Sequence, residues 1–258
     1  PSGSRKAMIE SAGSTGPAAS PVDAPQPTAD WATVRDRIFG RIDPISTGGE
    51  AWRAQASNVT LYRDTARFVA ERELEVAGER ITAPLIVIAA GSRCTSPASI
   101  EGLDEAWSSG RVHNSDTIMR IDDVPRRLAI IGGGFIAAEF AHVFSAFGSQ
   151  VTVVVRGDRM LRHEDEEISR RYTEAAGRDM TLLLGHATRR VETGEDGVRV
   201  HVSDSSGAER VVEADVLLVA TGRRPNSDRL DVRAGGIALD EAGFVLVDAW
   251  QRTSVEGV

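Results

Sequence analysis

Three consecutive glycines, Gly132, Gly133 and Gly134, close one short apolar run and open an amphipathic stretch. The segment from Leu128 to Arg162 reads LAIIGGGFIAAEFAHVFSAFGSQVTVVVRGDRMLR. Between a strand and a helix, such glycines bring backbone N–H groups close to a pyrophosphate. Gly132 permits the tight turn, Gly134 allows the close approach, and the small Ala137 keeps the helix near the sheet. The phosphates then sit at the helix N-terminus, where unpaired amides and the dipole favour negative charge. A second apolar run, Val151 to Val155, ends at Arg156, with Arg159 and Arg162 close behind. An acidic residue there would accept hydrogen bonds from an NAD ribose, whereas arginine pairs with the 2′-phosphate of NADP. NADPH is the expected nucleotide; a solvated cationic loop is the plainer alternative. Glu139, early in the helix, has its own plain alternative as a partner of the helix dipole.

Around this unit the elements follow from periodicity. Ile136, Phe140, Phe144 and Phe147 recur at helical spacing and predict the buried face of the helix, with Gly148 as its C-cap. Residues 1–30 are rich in Pro, Ala, Ser and Gly and are expected to be flexible. Trp31 to Phe39 predicts a short amphipathic helix. Val59 to Tyr62, Ala66 to Ala70, Glu73 to Val76 and Arg80 to Ala83 predict short strands, with a turn at Gly78-Glu79. Leu85 to Ala90 reads as a buried strand. After Arg162, a helix over 164–176, a strand over 181–184, a three-stranded meander (187–192, 198–202, 210–213) and a buried strand over 216–220 are expected. LIVIAAGS (85–92) and LLVATGRRPN (217–226) end alike and flank the glycine-rich unit, which predicts one domain inserted into another.

Composition narrows the function. The 258 residues carry a net charge of −8 with dispersed basic residues, which argues against nucleic acid as a partner. No apolar run is long enough to span a membrane and no signal peptide is visible, so a cytoplasmic setting is expected. Cys94 is the one cysteine, and it reads as a small buried hydrophobe. His113, His142, His163, His186 and His201 have no metal-ligand spacing and read as structural or surface residues.

The order AAGS, GGGFIAAE, Arg156 with Arg162, ATGRRPN and QRTSVEGV resembles the flavoprotein disulfide reductases, the pyridine nucleotide-disulfide oxidoreductases, from about Trp31 to Val258. FGRIDPIS (39–46), SDTIMRI (115–121), GFIAAEFAHVFSAFG (134–148) and VATGR (219–223) are similar to its actinobacterial mycothione reductase branch. The resemblance implies an α/β fold. In it, a Rossmann-like NAD(P)-binding domain (126–220) is inserted in an incomplete FAD-binding domain of three-layer ββα type with a β-meander (31–125 and 221–258). It implies NADPH contacts at Gly133, Ile136, Glu139, Arg156, Arg162 and Gly222, and positions near FAD at Ala66, Ala90, Gly91 and Ser92. It pairs Glu139 with a lysine beside the flavin, for which Lys6 is the candidate. It also implies a small-molecule disulfide substrate and a homodimer for the intact enzyme.

Several family features find no match in these 258 residues: the FAD glycine loop, the redox cysteine pair, the flavin-ribitol aspartate and the interface domain. An interior stretch of a longer enzyme is therefore expected, without catalytic residues of its own. Its apolar strands at 85–90 and 216–220 are expected to belong to a sheet lacking its first strand. The alternatives are a non-catalytic NADPH-binding module and another flavin-dependent NADPH oxidoreductase.

Overall fold

The computed structural model describes residues 30–258. Helix α1 (Trp31–Gln55) leads into three short strands, β1 (Arg67–Ala70), β2 (Glu73–Val76) and β3 (Glu79–Thr82). Strand β4 (Ser92–Cys94), the single turn α2 (Leu103–Ala106) and β5 (Val112–His113) follow. The glycine-rich unit forms β6 (Arg127–Ile131), α3 (Phe135–Ala146) and β7 (Gln150–Val155). Then come α4 (Glu166–Asp179), β8 (Thr181–Leu184), β9 (Ala187–Gly194), β10 (Gly197–Ser203), β11 (Glu209–Ala214), β12 (Val216–Val219) and β13 (Arg223–Pro225).

The centre is a five-stranded parallel sheet in the order β5-β12-β6-β7-β8. Its strands are apolar on both faces, as a covered parallel sheet requires. Side chains alternate along a strand, so each strand feeds two cores. Leu128, Ile130, Val151, Val153, Val155 and Leu218 face a helical layer holding Ala137, Ala141 and Phe144. Ala129, Ile131, Val154, Leu217 and Val219 face the antiparallel meander β11-β10-β9, where Val191, Val200 and Val212 meet them. The three-layer ββα arrangement with a meander, which the resemblance implied for the FAD-binding domain, is observed here around the nucleotide unit. A third, smaller cluster joins Phe68 of β1 to Val232, Ile237 and Val255, with Ile86 and Ile88 packed on it.

Several local expectations need correction. Helix α1 runs to Gln55, through Pro44, rather than stopping at Phe39. Tertiary anchors override the weak propensity. Asp30 caps its start by accepting from Thr33 N, and Trp31 is buried. Arg120 forks onto both Asp43 oxygens and lies over the Phe39 ring. Residues 59–62 form no strand, the first strand starts at Arg67, and no partner pairs with 59–62 among the described residues. The β2–β3 turn is Ala77-Gly78, not Gly78-Glu79, because Val76 pairs with Glu79. Both turn residues have positive φ (51° and 79°), the two-residue geometry that suits the twist of a hairpin.

Leu85 to Ala90 is neither a strand nor fully buried. Ile86 and Ile88 point inward, while Leu85 and Val87 are 71% and 80% exposed. Among the described residues the segment has no ladder partner; Ile86 N donates to Gly257 O. The run at 216–219 is not an edge of the same sheet but an interior strand between β5 and β6. Among the described residues no helix is long and apolar enough to cross a membrane. Amide hydrogen exchange is expected to be fast at Leu85, Val87 and Ile88 and slow at Ile130 and Leu218. Equal protection at both sets would contradict the unpaired state of 85–90.

Candidate functional site

Strand β6 leads through α3 to β7 and β8 on one side, while β12 and β5 lie on its other side. The order of strands reverses beside β6. A crevice opens outside the carboxyl ends of the strands at such a switch point. Gly132 leaves β6 at φ +130°, and a Cβ there would collide with the Ala220 carbonyl oxygen at the end of β12. Gly133 lies against β7, where an added Cβ would stand 2.6 Å from Val155 Cγ1. Gly134 differs: its φ of −86° suits any residue, and nothing lies within 4 Å of its Cβ position. Two of the glycines are thus required by packing and the third keeps an approach open.

Helix α3 starts at that opening. Its first intrahelical acceptor, Gly134 O, takes Ala138 N, so the amides of the first turn face outward without an acceptor in their own helix. The buried face is Ala137, Ala138, Ala141 and Phe144, not the Ile136–Phe140–Phe144–Phe147 stripe expected. Alanines let the helix lie close to the sheet, so Phe140 and Phe147 pack at its flank. At the other end Gly148 (φ +97°) donates to Ser145 O and Ser149 N to Phe144 O, a Schellman C-cap.

The expected residues fall into two groups. Gly132, Gly133 and Gly134 form the turn, Ile136 and Glu139 lie in the first two turns of α3, and Arg156 and Arg162 lie on the chain that leaves β7. Arg156 directly follows Val155, and Leu161 N donates to Gly133 O (2.6 Å), which brings the following Arg162 to the same edge. Arg156, Arg162 and Glu139 are exposed, and none makes an ion pair among the described residues. Arg162 Nε donates to His163 Nε2 (3.2 Å).

Gly222, Ala90, Gly91 and Ser92 meet at a second place, where β13 pairs antiparallel with β4. Thr95 N donates to Gly222 O, Asn226 N to Gly91 O and Asn226 Nδ2 to Ala90 O. Ala66 lies apart, two residues before Phe68, whose amide donates to Leu230 O. Lys6 lies outside the described residues.

Sequence reasoning missed the network that holds this strand pair. Arg93 forks onto Asp228 (2.8 and 2.6 Å), and Arg224 also pairs with it. The Arg93 guanidinium, helped by Arg224, holds the Asp228 carboxyl well below the usual carboxylate range. That contribution exists above the unfolded carboxylate pKa and is lost on acidification. Cys94, expected to be buried, is partly exposed, with its Sγ 3.2 Å from Arg223 Nη1. The run Arg224-x-Asn226-x-Asp228 offered no periodic signal. The one similarity between AAGS and ATGR was the available clue.

Comparison with known proteins agrees with the architecture. Residues 5–258 match the family model described as pyridine nucleotide-disulphide oxidoreductase, and the chain belongs to that family. It is 43% identical over 248 residues to mycothione reductase of Mycobacterium tuberculosis, covering 92% of this chain and 51% of that one. It is 34% identical to dihydrolipoyl dehydrogenase of Haloferax volcanii, covering 90% and 49%. The HOCl-induced flavoprotein disulfide reductase RclA from Escherichia coli superposes with a TM-score of 0.75 at 26% identity, covering 89% and 51%. The chain spans about half the length of these relatives.

Substitution separates the glycine roles. Gly132→Ala is expected to cost about 2 kcal/mol or more, through strain and the carbonyl collision. Gly134→Ala is expected to stay within about 1 kcal/mol of the parent. Equal losses in denaturant melts would contradict the assignment.

Proposed function

We propose that this chain is the NADPH-binding part, with adjoining FAD-binding segments, of a flavoprotein disulfide reductase. The open Gly134 approach, flanked by the first amides of α3 and by two arginines that have no acidic partner among the described residues, carries the reading. The α3 start binds the pyrophosphate, and Arg156 and Arg162 bind the 2′-phosphate that distinguishes NADPH from NADH. Gly133 and Ile136 line the pyrophosphate turn. Gly222, two residues past the carbonyl that Gly132 abuts, borders the nicotinamide end.

The FAD positions fit the described residues in part. Gly91 is exposed at φ +64° with nothing within 4 Å of its Cβ position, so a ligand can approach its backbone. Ala90 and Ser92 extend that border. FAD, when bound, supplies the redox centre between nicotinamide and disulfide. The β4–β13 pair joins the segments before and after the nucleotide unit, which supports boundaries at 31–125, 126–220 and 221–258. The resemblance implies a redox cysteine pair, and these residues hold one cysteine. The part of the enzyme that these residues form is the nucleotide-binding module. Mycothione is the proposed disulfide of the whole enzyme, supported by the 43% identity, with a homodimeric, cytoplasmic setting.

Calorimetric titration tests the nucleotide reading. Arg156→Ala or Arg162→Ala is expected to weaken NADPH roughly tenfold or more, the worth of a hydrogen bond to a charged group, and to spare NADH. Equal loss for both nucleotides would refute it. For the substrate, a polypeptide of the relatives' full length carrying this segment should oxidise NADPH faster with mycothione than with glutathione disulfide. Equal rates would sink that part.

A further inference from the structure

The loop between β7 and α4 carries Arg156, Arg159 and Arg162, yet its middle is buried. Met160 and Ser169 are both fully buried. Met160 N donates to Thr173 Oγ1 (3.1 Å), and Ser169 Oγ donates to Met160 O (2.5 Å). Thr173 Oγ1 in turn donates to Ser169 O (2.8 Å), so the two hydroxyls and the Met160 peptide form one closed set. The next residue, Leu161, is held at φ +55°, a conformation uncommon for a branched side chain. Its amide reaches Gly133 O and its carbonyl accepts Glu164 N (2.9 Å). Tyr172 OH donates to Ala138 O (3.1 Å), fastening α4 to α3.

All four backbone polar groups of residues 160 and 161 are therefore fixed, two by α4 hydroxyls, one by the glycine turn and one by the Glu164 amide. Arg162 follows immediately. A long, exposed guanidinium gains selectivity for a phosphate only if its backbone is placed in advance. We propose that Ser169 and Thr173 are positioning residues that set the NADPH preference by holding the Met160-Leu161 kink, an inference that rests on the nucleotide reading above. Without either hydroxyl, a buried Met160 group loses its partner. The kink relaxes, and Arg162 shifts relative to both Arg156 and the pyrophosphate turn.

The test is titration of the full chain with NADPH and NADH. Thr173→Val and Ser169→Ala are expected to weaken NADPH about tenfold or more, the range seen when a ligating group loses its own support. NADH affinity should be unchanged, and Thr173→Ser, which keeps the hydroxyl, should restore the preference. A merely structural role would weaken both nucleotides together, or leave Thr173→Ser as impaired as Thr173→Val; either result overturns the inference. Unchanged preference in the hydroxyl variants, while Arg162→Ala abolishes it, overturns the inference alone. Unchanged preference in Arg162→Ala refutes the nucleotide reading and the inference with it.

Discussion

The backbone of Gly132 passing the carbonyl of Ala220 is the contact on which the arrangement depends. β6 must turn sharply at its end, and β12 ends beside it, so no side chain fits between them. This crowding exists because β6 occupies the switch point of a five-stranded parallel sheet. It is also what makes a ligand crevice there, since connections leave in opposite directions on the two sides. The helix that follows inherits its position from the turn. Its alanine face lies close to the sheet, and its first amides end at an open edge.

The cationic loop and the strand pair are secured by different means. The first is secured by burial of Met160 and by hydroxyls of α4. The second relies on exposed ion pairs, Arg93 and Arg224 on Asp228, which water and salt screen. The nucleotide side is thus set by packing that conditions barely alter. The β4–β13 side depends on groups that titrate.

Much of this was legible. The switch from alternating to helical and back to alternating periodicity over 128–155 marked β6, α3 and β7, and the Gly–Gly–Gly turn carried its own physical reason. The meander showed in its alternation and turns. What failed was whatever depends on a partner. Leu85 to Ala90 has a strand's composition, but a strand needs a neighbour, and composition names none. Helix α1 outran its propensity because Arg120 and Asp43, far apart in sequence, meet. In α3 the large residues were expected inside, yet close approach to the sheet favours alanine. The hydroxyls of Ser169 and Thr173, four residues apart on one helix face, belong to no motif in the sequence. Their meaning lies in a peptide group that the sequence does not point to.

Trp31 gives one element an optical consequence. Its indole donates to Ile121 O and packs against Phe144 and Phe147, with ring centroids 5.4 and 5.3 Å away. Trp52 and Trp250, by contrast, are 67% and 75% exposed. Iodide would extinguish the red-shifted emission of those two and leave a remainder from the buried Trp31 and the half-buried Trp107. The Trp31 share originates at the far end of the helix whose first turn faces the crevice, so with Trp107 replaced the chain carries a built-in fluorophore for the seating of α3.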